Sequence, residues 1–229
     1  MATAQKPRVE TVDPGQRIVL QGMSWGLYEA LLEENQTRHI FLTYDRGKLE
    51  FMSPSFRHEI YAHLIGVMIG VLAEELEIPI KCGRTTTFRR RELNKGLEPD
   101  ECFWIGNEPR MRGKLDYDPA TDPPPNLAIE IEVSRRALDR MGIYAALGVP
   151  EIWRCDGQTL TIHHRQADGS YSVVPRSPSL PMLPPEDVLR FLALYETRDE
   201  TSWKRAFRDW VRAEVLPQVD PNEGQRPFA

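Results

Sequence analysis

Apolar and polar residues alternate along this chain with two periods, and the change between them marks out its elements. The clearest period of two runs from Leu127 to Val133, where Leu127, Ile129, Ile131 and Val133 alternate with Ala128, Glu130 and Glu132. That pattern predicts a strand. The clearest helical period runs from His58 to Leu76, where Ile60, Leu64, Val67, Met68, Val71 and Leu72 fall on one face. Gly66 and Gly70 thin that face, which favours close packing on a sheet, and Pro79 ends the pattern.

The remaining elements follow in order. A short strand is expected at 17–21. Ser24 can cap a helix through Trp25, Tyr28 and Leu32. Runs at 40–44 and 49–52, parted by Asp45-Arg46-Gly47-Lys48, predict a hairpin. Strands are expected at 78–81, 85–88 and 102–105, with Pro99 confined to a strand start. A charged, Pro-rich connection covers 107–125. Beyond 127–133, a short helix at 139–147 should stop at Gly148. A hairpin at 151–156 and 159–165 and a strand at 171–174 come next. Two tail helices are expected, at 187–195 and around Trp203 to Val215, with residues after Pro217 fraying. Alternating helices and strands predict an α/β (α+β) fold with one mixed sheet.

Composition narrows the class. The 229 residues suffice for one ordinary to large domain, and 41% hydrophobic content suffices for its core. The sequence divides into a lead-in at 1–20, a main domain at 21–195 and a tail at 196–229. Three widely spaced cysteines without a C-x-x-C predict free thiols rather than a disulfide framework or zinc site. No signal peptide or membrane-spanning run is expected, so a cytoplasmic location is anticipated. The net charge of −5 argues against general nucleic-acid coating and leaves room for a local basic groove.

On a strand, Glu130 and Glu132 share a face with Cα atoms roughly 6.8 Å apart. Two like charges so placed need solvent or a cation to offset them. Asp100, at the start of an earlier strand, is a third acid that a neighbouring strand could bring alongside. Hard oxygen ligands so gathered suit Mg²⁺ or Mn²⁺, which activate water and neutralise charge on a phosphate. Glu59 at the opening of the long helix, Glu98 and Glu50 are secondary acids, and Glu59 also suits the helix dipole. His58 reads as a cap or packing residue, and Tyr144 as a helix residue against the sheet. Arg84, Arg89, Arg90, Arg91 and Lys95 form a basic cluster one loop before Asp100, able to meet phosphates or simply to be solvated. Lys204, Arg208 and Arg212 make a basic stripe opposite an aromatic face that could pack on the core or on a second subunit.

Several motifs in order carry a family resemblance. They are Met23-Ser24-Trp25 with Tyr28, Leu49-Glu50-Phe51-Met52-Ser53-Pro54-Ser55, His58-Glu59, Pro99-Asp100, Pro125 to Ser134, and Ile143 to Trp153. Over roughly residues 20–175 the chain resembles the Uma-type restriction-endonuclease-domain proteins of the PD-(D/E)XK nuclease superfamily. The resemblance implies a restriction-endonuclease-like core, a central mixed sheet flanked by helices. It implies a metal-dependent endonuclease acting on DNA with Mg²⁺ or Mn²⁺; a homodimer is expected besides, consistent with the aromatic face of the tail helix. Asp100 would be the metal-binding aspartate and Glu130 the acid of the second motif, with Glu59 a further metal ligand. Glu132 takes the place of the usual lysine. A lysine often found four residues before the family's tyrosine is Arg140 here. Arginine stays protonated and is a poor base, though it can clamp a phosphate. The departure leaves a second possibility, a nuclease-fold protein that binds nucleic acid or partners without cutting.

Overall fold

The computed structural model describes residues 16–34, 40–133 and 138–219. Most of the expected lead-in, Ser134 of the central motif and the tail from 220 lie outside the described residues. The strands are β1 (Arg17–Leu20), β2 (Phe41–Asp45), β3 (Lys48–Met52), β4 (Lys81–Cys82), β5 (Phe88–Arg90), β6 (Lys95–Leu97), β7 (Glu101–Trp104), β8 (Leu127–Ile131), β9 (Glu151–Cys155), β10 (Leu160–Arg165) and β11 (Tyr171–Val174). The helices are α1 (Trp25–Glu34), α2 (Phe56–Glu75), α3 (Glu108–Met111), α4 (Arg140–Leu147), α5 (Pro185–Tyr195) and α6 (Glu200–Trp210).

The strands form two sheets. One is six-stranded in the order β11-β10-β9-β8-β7-β4, mixed because β8 and β9 run parallel. This is the expected mixed central sheet flanked by helices. The second was not read from the pattern. It is an antiparallel five-stranded sheet in the order β1-β3-β2-β6-β5, which gathers the 41–52 hairpin and the segments around Arg90 and Leu97.

Burial explains the layering. The odd residues of β8, Leu127, Ile129 and Ile131, enter the main core with Leu64, Ile65 and Met68 of α2 and with residues of α5 and α6. Ala128 faces the other way, into a core with Ile143, Tyr144 and Leu147 of α4. A third core joins Trp25 and Tyr28 of α1 to Leu42, Tyr44 and Leu49 of the second sheet. The helix α4 touches β5 and β6 as well as the mixed sheet's face, so it lies where the two sheets meet.

Local signals set the ends. The Ser55 side chain accepts from the His58 amide and starts α2, while Ser24 receives the Leu27 amide at the start of α1. Gly66 lies so close to β7 that a Cβ there would come 3.0 Å from the Glu101 carboxylate. Gly70 meets nothing within 4 Å, so only the first glycine permits close approach. Asp139 caps α4 through the Gly142 amide, and Gly148 stops it at φ 81°. Two expected strands are displaced. Glu77 turns left-handed at φ 54° and the Ile78 amide returns to Ala73, so Ile78 closes α2 and the strand shrinks to Lys81–Cys82. Arg84 at φ 53° and the Thr86-to-Gly83 turn delay the next strand to Phe88.

The tail helix belongs to the main core. Trp203, Phe207, Val211 and Val215 are buried in it, and the Trp203 indole donates to the Phe191 carbonyl at 2.7 Å. On the other side Arg208 and Arg212 pair with Glu74 and Glu75 of α2. Among the described residues, no helix is long and apolar enough to cross a membrane.

Candidate active site

The sheet brings Asp100 beside the end of β8. Its amide donates to the Ile129 carbonyl at 3.2 Å, and its Oδ2 accepts from the Ile131 amide at 2.6 Å. His58, in the first turn of α2, sets Nε2 3.1 Å from the same oxygen. The imidazole is buried, which by itself opposes its charge. The adjacent Asp100 carboxylate, helped by Glu59, outweighs that cost and raises the imidazole to about 9. His58 is thus a buried imidazole that the aspartate beside it pulls toward its charged form, a role the sequence pattern did not suggest.

Glu130 projects toward α4 and is 2% exposed. Its Oε1 accepts from Arg140 Nε at 3.0 Å, from Arg140 Nη2 at 2.7 Å and from the Tyr144 hydroxyl. Arg140 also donates through Nη1 to Thr43 Oγ1 of β2 at 2.8 Å and through Nη2 to the Glu98 carbonyl. Every nitrogen of this guanidinium is therefore engaged inside the protein. Burial opposes its charge, but Glu130 and then Tyr144 and Asp100 raise its affinity for the proton. Tyr144 both packs on the sheet and bonds Glu130. Burial, and then Glu130, push its hydroxyl far above the usual range.

Glu132 meets a different cation. Its carboxylate receives Arg154 Nε at 2.7 Å and Nη2 at 2.9 Å, a two-point pair across β8 and β9. The two glutamates are thus offset by two guanidiniums, Arg140 from the helix and Arg154 from the neighbouring strand. Arg154 had no signal in the sequence, because its place depends on the parallel register that sets it beside Glu130.

The other candidates are spread more widely. Glu59 is half exposed, with Oε1 3.8 Å from His58 Nδ1. Glu98 accepts from the Leu42 amide and the Thr87 hydroxyl, and burial raises its carboxyl. Glu59, Glu98, Arg84 and Arg89 line one cleft of about 690 Å³ with Thr85–Thr87 and Tyr117. Arg84 also reaches Glu101, Arg90 lies 4.0 Å from Glu92, and Arg91 pairs with Glu29. Lys95 is buried against Asp45 at 2.8 Å. Of the basic cluster, then, Arg84 and Arg89 face the cleft and Lys95 serves the second sheet. Glu50 is buried and paired with Arg17.

The donor set suits a metal in one limited way. No group of three or more His, Cys, Asp or Glu side chains able to hold an ion occurs among the described residues. Asp100, hydrogen-bonded to β8, and Glu130 of that strand are both hard carboxylates, and Mg²⁺ commonly takes one or two such ligands while keeping several waters. The residues fit an ion of that kind if Glu130 shares its carboxylate with Arg140.

Comparison with known proteins identifies the family. Residues 25–195 match the family described as "Uma2: Putative restriction endonuclease". The crystal structure of a "putative nuclease belonging to DUF820 from Anabaena variabilis" is similar at 17% identity and a TM-score of 0.47, over 66% of this chain and 90% of that one. No curated protein matches the chain. A family match across most of the length, on a mixed sheet flanked by helices, places the chain in the Uma2 restriction-endonuclease family.

Proposed function

We propose that the protein is an endonuclease that hydrolyses phosphodiester bonds in DNA and requires Mg²⁺ or Mn²⁺. The observation that carries this is that two buried carboxylates, Glu130 of β8 and Asp100 bonded to the backbone on either side of it, stand at the end of that strand. Those two residues would hold the ion, which when bound supplies an activated water and neutralises charge on the phosphate. The protein's own groups hold the carboxylates in place. The Ile131 amide and His58 fix one oxygen of Asp100. Arg140 and Tyr144 fix Oε1 of Glu130. Glu132 is less buried and lines the same small cavity as Glu130, where it can accept a proton as water attacks. Glu59, which lines the larger cleft and stands beside His58, is a further carboxylate that could share in binding the ion.

The test is cleavage of plasmid, linear and single-stranded DNA with Mg²⁺ or Mn²⁺, alongside Asp100→Ala. Metal-dependent cutting that disappears in the variant is expected. Equal cutting by the variant, or none by the native protein on any substrate with either ion, overturns the reading.

The full engagement of Arg140 favours a second reading, in which the centre is closed by protein charge and the fold binds nucleic acid without cutting it. Retardation of DNA at low salt, with neither cleavage nor Mn²⁺ binding by calorimetry, would select it.

A further inference from the structure

We propose that Arg154, and not Arg140, is the residue that meets the substrate's phosphate at the carboxylate centre. The inference rests on the reading of the protein as one that acts on a phosphodiester backbone.

The two guanidiniums flanking the glutamates differ in what they can reach. The Arg140 side chain is 3% exposed and its three nitrogens are spent on Glu130, Thr43 and the Glu98 carbonyl. Bringing a phosphate to it would mean breaking bonds to three separate segments and moving an anion into a buried site beside Glu130. A buried charge stripped of a partner is strongly destabilising, so this cation is committed to holding the fold.

Arg154 is 35% exposed. It spends Nε and Nη2 on Glu132, and Nη1 makes no hydrogen bond among the described residues. It sits in register with Glu130 on the adjacent parallel strand, so its backbone lies about 4.8 Å from that of Glu130. It lines a cavity of about 200 Å³ with Glu130, Glu132, Asp139 and Tyr144; Arg140 lines this cavity too, but with its nitrogens already bonded within the protein. Across β10, Thr161 is its register partner and His163 follows on the same face. The Arg154 charge, after burial, holds the His163 imidazole below its ordinary range, so its field extends along this surface. A partly exposed guanidinium tethered on one side to a carboxylate is pre-oriented. It can receive a phosphate oxygen at little further cost in side-chain entropy. Glu132 holds Arg154 in place while its own negative charge repels a phosphate, so its loss removes a repulsion along with the tether.

The test is binding of a fluorescein-labelled DNA duplex without divalent metal, followed by anisotropy across a salt series, for the native protein, Arg154→Ala, Arg154→Lys and Glu132→Gln. A phosphate contact predicts that Arg154→Ala binds about tenfold more weakly, with a salt slope shallower by about one. Arg154→Lys keeps that slope with an intermediate affinity. Glu132→Gln removes the same ion pair but frees the guanidinium, and binds as tightly as the native protein or more tightly. Equal weakening in Arg154→Ala and Glu132→Gln would make the pair merely structural and overturn the assignment. So would native affinity and slope in Arg154→Ala. If circular dichroism shows Arg154→Ala unfolded, Arg154→Lys and Glu132→Gln decide between the same outcomes. A native protein that binds no DNA at low salt fails differently, because it removes the nuclease reading itself.

Discussion

Arg140 grips a single oxygen of Glu130 with two of its nitrogens, at 3.0 and 2.7 Å, while its third reaches Thr43 in the other sheet. One side chain therefore neutralises the buried carboxylate and ties the two sheets together. Arg140→Ala should cost about 3–5 kcal/mol in chemical denaturation, because Glu130 would be left buried without its cation. Replacing both partners with apolar residues, as in Arg140→Met with Glu130→Met, should recover much of that loss. A double variant as unstable as the single one would show that the charge pair is not the source of the cost.

The His58–Asp100 pair makes stability depend on pH in one direction. The imidazole is at about 9 in the folded protein against 6.5 when unfolded. Its contribution is therefore fully present below pH 6.5 and is lost as pH rises through about 9. The span corresponds to up to about 3 kcal/mol at the low-pH end. Urea melts between pH 6 and pH 10 should show this decline. In His58→Gln the decline over that window should flatten.

Gly96 of β6 lies against the Tyr28 ring, and a Cβ there would overlap the phenol. Tyr28 is fully buried beside Tyr44. Gly96→Ala should destabilise by about 1–3 kcal/mol through overpacking. Thermal melts of Gly96→Ala alone and with Tyr28→Phe separate the crowding of the ring from that of its hydroxyl. The second change should recover part of the loss.

The tail helix should divide sharply between its two faces. Trp203→Ala removes a fully buried indole and should cost about 3–5 kcal/mol. Arg212→Ala removes an exposed pair with Glu75 and should leave the unfolding midpoint nearly unchanged. Guanidinium melts of both variants check this. A large loss from Arg212→Ala would mean that the ion pairs, rather than the core, hold the helix down.

The sequence made the periodic parts of this protein legible. The alternation at 127–131 and the helical face at 60–72 each correspond to one element with one buried side, and local composition suffices for that. Asp100 and Glu130 were readable as candidates because each sits at a strand position marked by its neighbours. What stayed hidden depends on partners distant in the chain. Nothing around Thr43 signals that Arg140 will bond it. Arg154 reads as an ordinary strand residue until the parallel register puts it beside Glu130. His58 reads from its place at the helix start as a cap or packing residue, and its amide does meet Ser55, while its ring serves Asp100. The second sheet was missed for the same reason: three of its five strands have four residues or fewer and gain their stability only by pairing.

The packing of α6 over α2 also bears on how the chain is made. The apolar face of α2 is synthesised early, but Trp203, Phe207 and Val211, which cover part of it, emerge from the ribosome more than a hundred residues later. Until then the nascent chain carries an open hydrophobic surface over its central sheet. Completion of the main core therefore waits for α6 to be synthesised, and a chain stalled or cut short before it is a natural client for chaperones.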